Sequence, residues 1–212
     1  MKNRYLTSLA LTALFTIAGT TQAQSVRLAV GADSKLWIEG GSNLHDWSCK
    51  ATSIDAAIDV DEAFVKTPTA SPTLLKKVQV KVPVHNLKCG NGKMESNLYK
   101  ALKADDTAEI SYILATFDVV PGETKDSFTV KTVGALTIAG AEKTVNMDVN
   151  ASRLPDGSVK ADGSLPLLMT DFGVKPPTAL LGTLRTDNKV TVKFSLLVGP
   201  QTIAAALAGE QR

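Results

Sequence analysis

The sequence predicts an all-β fold of about eight antiparallel strands closed into a barrel, with one short helix. Three observations carry that expectation. The first is residues 133–149, V-G-A-L-T-I-A-G-A-E-K-T-V-N-M-D-V. Gly134, Leu136 and Ile138 share one parity there, and Val145, Met147 and Val149 share one after the break. Successive strand side chains point to opposite faces, so this segment folds back on itself with one apolar and one polar face. Gly140-Ala141-Glu142-Lys143 is the expected turn, because Gly accepts the positive φ of a tight hairpin. The second observation is that the same alternation recurs along most of the chain. The third is that helical spacing appears strongly only once.

In order, residues 34–41, S-K-L-W-I-E-G-G, read as the first strand, ended or bulged at Gly40-Gly41. Residues 47–60 read as a long second strand, with Ile54, Ala56, Ile58 and Val60 on one face. A loop is expected over residues 62–73, which hold Pro68 and Pro72. Residues 76–88 give the clearest strand, with Val78, Val80, Val82 and Val84 facing one way. Pro83 donates no ladder hydrogen bond, so it marks an edge, an irregularity or a strand end. Met94, Leu98, Ala101 and Leu102 then recur at helical spacing, and Asn91 is placed to cap that helix. Strands resume over residues 109–119, 127–139, 143–154, 159–169 and 188–198. Pro121-Gly122 and Pro155-Asp156-Gly157 mark turns between them.

An open sheet of this size would leave edges and a bare apolar face. Closure into a barrel removes both, and eight strands enclose either packed side chains or one small ligand. A two-sheet sandwich satisfies the same alternation. The pattern also leaves a filled core and an open cavity equally supported, since interiors pack densely.

Residues 1–23 have the layout of a secretory signal: Lys2 and Arg4, an apolar run from Leu6 to Ala18, and small residues before a cut after Ala23. The expected organisation is signal peptide 1–23, barrel domain 24–199 and a tail over 200–212. Removal of the signal takes two cations and no acid, so the formal charge of +2 falls to zero. A neutral domain gives no electrostatic reason to bind nucleic acid. The expected location is periplasmic or secreted. There the only cysteines, Cys49 and Cys89, are expected to pair.

Chemistry-bearing residues are few. His45 and His85 are the only histidines and have no ligand cluster around them, so no metal site is expected. In Leu44-His45-Asp46-Trp47 an Asp–His relay is conceivable, but adjacent residues of an extended segment point apart and no nucleophile is evident. Asp171-Phe172-Gly173 lacks every other kinase element and reads as a strand end entering a glycine turn. Asn150-Ala151-Ser152 is a formal glycosylation sequon inside an expected strand and carries little weight. No catalytic residue and no obligate cofactor are expected.

Four stretches, in order, resemble the YceI-like family: S-K-L-W-I-E-G-G-S-N-L-H-D-W, N-L-Y-K-A-L-K-A-D-D-T-A-E-I-S-Y, G-A-L-T-I-A-G-A-E-K-T-V and T-D-F-G-V. The resemblance runs from about Ser34 to Val198. It implies an exported lipocalin-like barrel whose long hydrophobic cavity binds a polyisoprenoid or similar amphiphilic lipid, isoprenoid quinones included, without catalysis. Two positions depart from the family pattern: Met169 stands where a basic residue is expected, and Thr107 where a proline is common. On this reading the ligand wall comprises Val80, Val82, Tyr112, Leu114, Val130, Met147, Leu165, Leu167 and Phe194. The helix over residues 93–102 and the loop over 173–185 are expected to cover the mouth. The alternative is a non-enzymatic accessory domain with a filled barrel, which meets an envelope protein partner through its outer face. The sequence leaves the oligomeric state open.

Overall fold

The computed structural model describes residues 25–63 and 75–200. The expected signal, the segment holding Pro68 and Pro72, and the tail beyond Pro200 lie outside the described residues.

The strands are β1 (Ser25–Val30), β2 (Lys35–Ser42), β3 (Trp47–Ala51), β4 (Asp55–Asp61), β5 (Leu75–Pro83), β6 (Leu87–Lys88), β7 (Glu109–Pro121), β8 (Ser127–Ile138), β9 (Ala141–Arg153), β10 (Val159–Leu168), β11 (Thr178–Ala179) and β12 (Leu184–Pro200). Helix α1 (Gly92–Ala101) lies between β6 and β7. The sheet runs β1-β4-β5-β7-β8-β9-β10-β12, and β12 pairs back onto β1, which closes an eight-stranded antiparallel barrel. Closure rests on Leu28↔Pro200, Ala29↔Gly199 and Val30↔Val198.

The barrel accounts for the strand count and corrects several boundaries. The first strand starts earlier than expected, at Ser25, because β1 and β2 are two halves of one bent strand that both pair with β12. Gly31–Ser34 forms the bend, and the Leu197 amide donates to Ser34 Oγ there at 2.9 Å. The expected continuous strand over 47–60 is broken after Ala51. Trp47 and Cys49 face the interior at odd positions, while Ile58 and Val60 face it at even ones. That change of parity requires an irregular residue between them. The strand expected over 76–88 is likewise interrupted by a 3-10 turn, Val84–Asn86, after Pro83 ends β5. The turn of the central hairpin is Ala139-Gly140, not Gly140–Lys143: Ile138 pairs directly with Ala141. Ala139 and Gly140 both have positive φ, 50° and 81°. A two-residue turn with that pair of conformations follows the right-handed twist of the flanking strands, so the register continues to the tip. The last strand is longer than expected at both ends, and Pro200, assigned to the tail by sequence, completes it.

The outer face is solvated and carries cross-strand ion pairs. Arg27 Nε reaches Asp59 Oδ1 at 2.7 Å between β1 and β4, and Lys193 Nζ reaches Glu39 Oε2 at 2.7 Å between β12 and β2. Exposed pairs of this kind add little stability. Their value to the argument is orientation: with charge outside, the alternate positions must face in.

The interior holds two buried clusters. Leu28, Ile58, Val60, Leu196 and Val198 pack at the end where β1 meets β4 and the end of β12. Val82, Val84, Leu87, Leu102, Phe172 and Val174 pack beneath α1, with Leu98 and Tyr99 of the helix against them. The helix forms where its spacing predicts. Asn91 caps it, its side-chain oxygen accepting from the amides of Lys93 at 3.0 Å and Met94 at 3.1 Å. The Tyr99 hydroxyl ties the helix to β6 through the carbonyl of Leu87 at 2.9 Å. Asn91→Ala removes the acceptor for two otherwise unpaired amides and should cost about 1 kcal/mol. Hydrogen exchange at Lys93 and Met94 checks this: faster exchange is expected, and unchanged exchange would show that the cap is dispensable.

Candidate ligand cavity

Between the two clusters the barrel is not filled. It encloses a cavity of about 600 Å³ whose lining is almost wholly apolar. That volume lies within the range of small-molecule sites. Apolar lining with no chain packed against it forfeits contacts that a hydrocarbon ligand would restore. A filled-barrel architecture does not describe this interior.

Val80, Val82, Tyr112, Leu114, Val130, Met147, Leu165, Leu167 and Phe194 all line the cavity. They come from β5, β7, β8, β9, β10 and β12, whose inward faces the alternation places side by side. Sequence reasoning missed other parts of the wall. Phe117 and Val119 line it because a bulge between Leu114 and Thr116 reverses the parity of β7. Trp47 and Cys49 line it for the parity reason given above, and Leu28 lines it from the half-strand that the pattern did not reveal.

Polar groups gather at one rim. Ser42, His45, Asn91, Lys93, Asn97, Thr178 and Thr186 line the cavity from the β2–β3 connection, α1 and the β11–β12 hairpin. The rim loops are joined by hydrogen bonds: Asn43 Nδ2 donates to the Thr183 carbonyl at 2.8 Å, and the Arg185 amide donates to Asn43 Oδ1 at 2.8 Å. Both segments expected at the mouth contribute lining residues, α1 through Met94, Leu98 and Ala101, and the loop after Gly173 through Val174 and Pro177. Met169 to Phe172 form a 3-10 turn that ends at Gly173 in the left-handed region, as a strand end entering a glycine turn would. His45 Nδ1 lies 3.0 Å from the backbone carbonyl of Asp46, so the ring contact is to main chain rather than to the Asp46 carboxylate.

The pairing of Cys49 with Cys89 is present. It joins β3 to the segment entering α1, and the Cys89 amide donates to Glu95 Oε1 of the helix at 3.0 Å. The rim of the cavity is thus fixed covalently to its wall. Among the described residues, no group of three or more His, Cys, Asp or Glu side chains could hold a metal ion, and no helix is long and apolar enough to cross a membrane.

Within the wall, the Tyr112 hydroxyl is buried with no well-aligned hydrogen-bond partner. Burial pushes its ionisation above the ordinary value of 10.0, and the neighbouring Thr132 hydroxyl offsets only part of this. Thr132 itself donates to the Met147 carbonyl at 2.9 Å. Because the folded state disfavours the phenolate, the stabilisation is complete below the unfolded value and is lost as pH rises through the folded one. Absorbance titration should reveal a late phenol that Tyr112→Phe removes. A variant with the same late component would place the perturbed group elsewhere.

A closed antiparallel barrel around an apolar cavity, with most of the polar lining at a rim, defines a lipocalin-like architecture. A family model for the YceI-like domain matches residues 41–198. The chain belongs to the YceI-like family. No curated protein matches it. The fold is similar to that of BcnA from Burkholderia cenocepacia, at 18% identity and TM-score 0.60, covering 78% of this chain and 96% of that one. It is similar to a polyisoprenoid binding domain from Saccharophagus degradans implicated in plant cell wall breakdown, at 12% identity and TM-score 0.62, covering 82% and 99%. The YCEI protein of Campylobacter jejuni matches at 15% identity and TM-score 0.52, covering 94% and 98%. At these identities the similarity establishes the fold.

Proposed function

We propose that this protein is an exported carrier or sequestering protein for a long-chain isoprenoid or similar amphiphilic lipid. The observation that carries the reading is the apolar cavity itself, whose lining is almost wholly hydrocarbon and drawn from the inward faces of the barrel strands. A flexible hydrocarbon chain recovers the packing that the void forfeits, at about 25 cal/mol per Å² of apolar surface buried before the costs of binding. The polar rim suits a head group, with Lys93, Asn91, Asn97 and Ser42 available to it. Binding to a non-reacting chain requires no nucleophile and no cofactor. The disulfide supports an oxidising compartment, periplasmic or extracellular, in agreement with the leader-like first residues. The name of the Saccharophagus degradans domain, a polyisoprenoid binder, points to the same ligand class.

Trp47 lines the cavity, whereas Trp37 donates to Glu39 on the other face of β2. Fluorescence titration of a Trp37→Phe variant with a soluble short-chain ubiquinone should show saturable quenching of Trp47. Absence of quenching, with no uptake of a prenol detected by mass, would refute the carrier reading.

A further inference from the structure

Three of the rings that line the cavity lie on glycines. Gly40, Gly134 and Gly163 occupy inward positions of β2, β8 and β10, where any side chain would enter the lumen. Gly40 is directly opposite Trp47, and Gly163 directly opposite Phe194. Gly134 pairs with Leu114, and Tyr112 reaches across it diagonally. A Cβ at Gly40 would stand 2.7 Å from Trp47 Cε2, and one at Gly163 would stand 2.6 Å from Phe194 Cε1. At Gly134 it would stand 2.5 Å from both Cζ and the hydroxyl of Tyr112 and 2.6 Å from the Ile113 carbonyl oxygen, so backbone as well as ring excludes a side chain there. These separations are far below van der Waals contact. Each ring therefore reaches over the gap left by a missing side chain, along the wall rather than across the lumen.

A glycine inside a strand weakens the strand, and its usual meaning is a close approach of something else. Here the same device occurs in three separate strand pairs of one cavity. Resting on the lipid-carrier reading, we propose that Gly40, Gly134 and Gly163 are specificity-determining residues. By seating Trp47, Tyr112 and Phe194 against the wall, they set the bore, and so the length of apolar chain that can thread the barrel.

The seats lie at different depths. Gly40 faces Val190 of β12, near the polar rim. Phe194, over Gly163, lies four residues further along the same strand, about 13 Å at 3.3 Å per residue. A methyl group at Gly163 displaces the ring rather than the backbone, because the atoms it meets are the ring edge of a rotatable side chain. The space open to that ring is the lumen. Gly163→Ala should therefore close the inner part of the cavity and leave the part near the rim open. Gly40→Ala should narrow the entrance.

The test uses farnesol as a short prenol and solanesol as a long one, with folding checked by circular dichroism. Gly163→Ala should weaken solanesol binding at least tenfold and leave farnesol within about twofold. Gly163→Ala combined with Phe194→Leu should restore solanesol, since the displaced ring is gone. Gly40→Ala should weaken both prenols. A second readout needs no ligand: nuclear Overhauser contacts between the Phe194 ring and residue 163 should be strong in the wild type and lost in Gly163→Ala. If the wild type binds both prenols and Gly163→Ala binds both equally well, or if the ring remains over residue 163, the proposal is overturned. If the wild type binds neither prenol while the ring contacts behave as stated, the glycine seats stand and the lipid reading fails.

Discussion

Leu114→Arg is expected to reduce lipid binding by more than a hundredfold in a folded protein. Leu114 is on the lumen side of β7, opposite Gly134, in the middle of the wall. A guanidinium keeps its charge at any accessible pH. The described residues that line the cavity include no carboxylate, and an ion desolvated without a partner costs several kcal/mol, where about 2.7 kcal/mol already corresponds to a hundredfold loss. Leu167→Arg should act in the same direction but less strongly. Leu167 packs against the cluster beneath α1, so a long side chain there can extend its head towards the rim. Trp47 quenching measures both. A folded Leu114→Arg protein that keeps wild-type affinity would show that this face of β7 is not the ligand wall.

Reduction of the Cys49–Cys89 bond is expected to lower stability by about 4 kcal/mol, an upper-end value from the chain entropy of a loop closed between residues 40 apart. For a domain of this size that corresponds to a fall in Tm of roughly 8–16 °C. The effect should be felt first at the rim, because the bond ties β3 to the segment that leads into α1. Thermal melts with and without dithiothreitol measure the global change, and hydrogen exchange in α1 measures the local one. A fall of only a degree or two would mean that the loop is already restricted in the unfolded chain or that the bond does little beyond holding the helix.

The fold was legible because a barrel repeats one simple rule. Wherever a strand runs without interruption, parity alone identifies the wall: Val80 and Val82, Leu165 and Leu167, and Phe194 all follow from it. Legibility ended where one residue broke the alternation. Ala115 sits at the bulge that turns Phe117 and Val119 inward, and no local composition announces it. The bend at Gly31–Ser34 hid the half-strand β1, and the break after Ala51 went unread inside the single strand expected over residues 47–60. The helix could be read because Asn91 precedes a regular apolar stripe, and both signals are local. The glycine seats could not, because each depends on which residue of the next strand lies opposite, and register is a property of the closed sheet. The rim was legible only as two segments: the hydrogen bonds of Asn43 to Thr183 and Arg185 join residues about 140 positions apart in the chain.

The most direct test of the central claim is native mass spectrometry of the protein purified from its own cell, followed by organic extraction of whatever it holds. The expected result is one apolar lipid per chain, released on denaturation and identified as an isoprenoid, its loss lowering Tm as removal of any ligand specific to the folded state must. An empty, folded protein that also refuses added quinones and prenols would contradict the account.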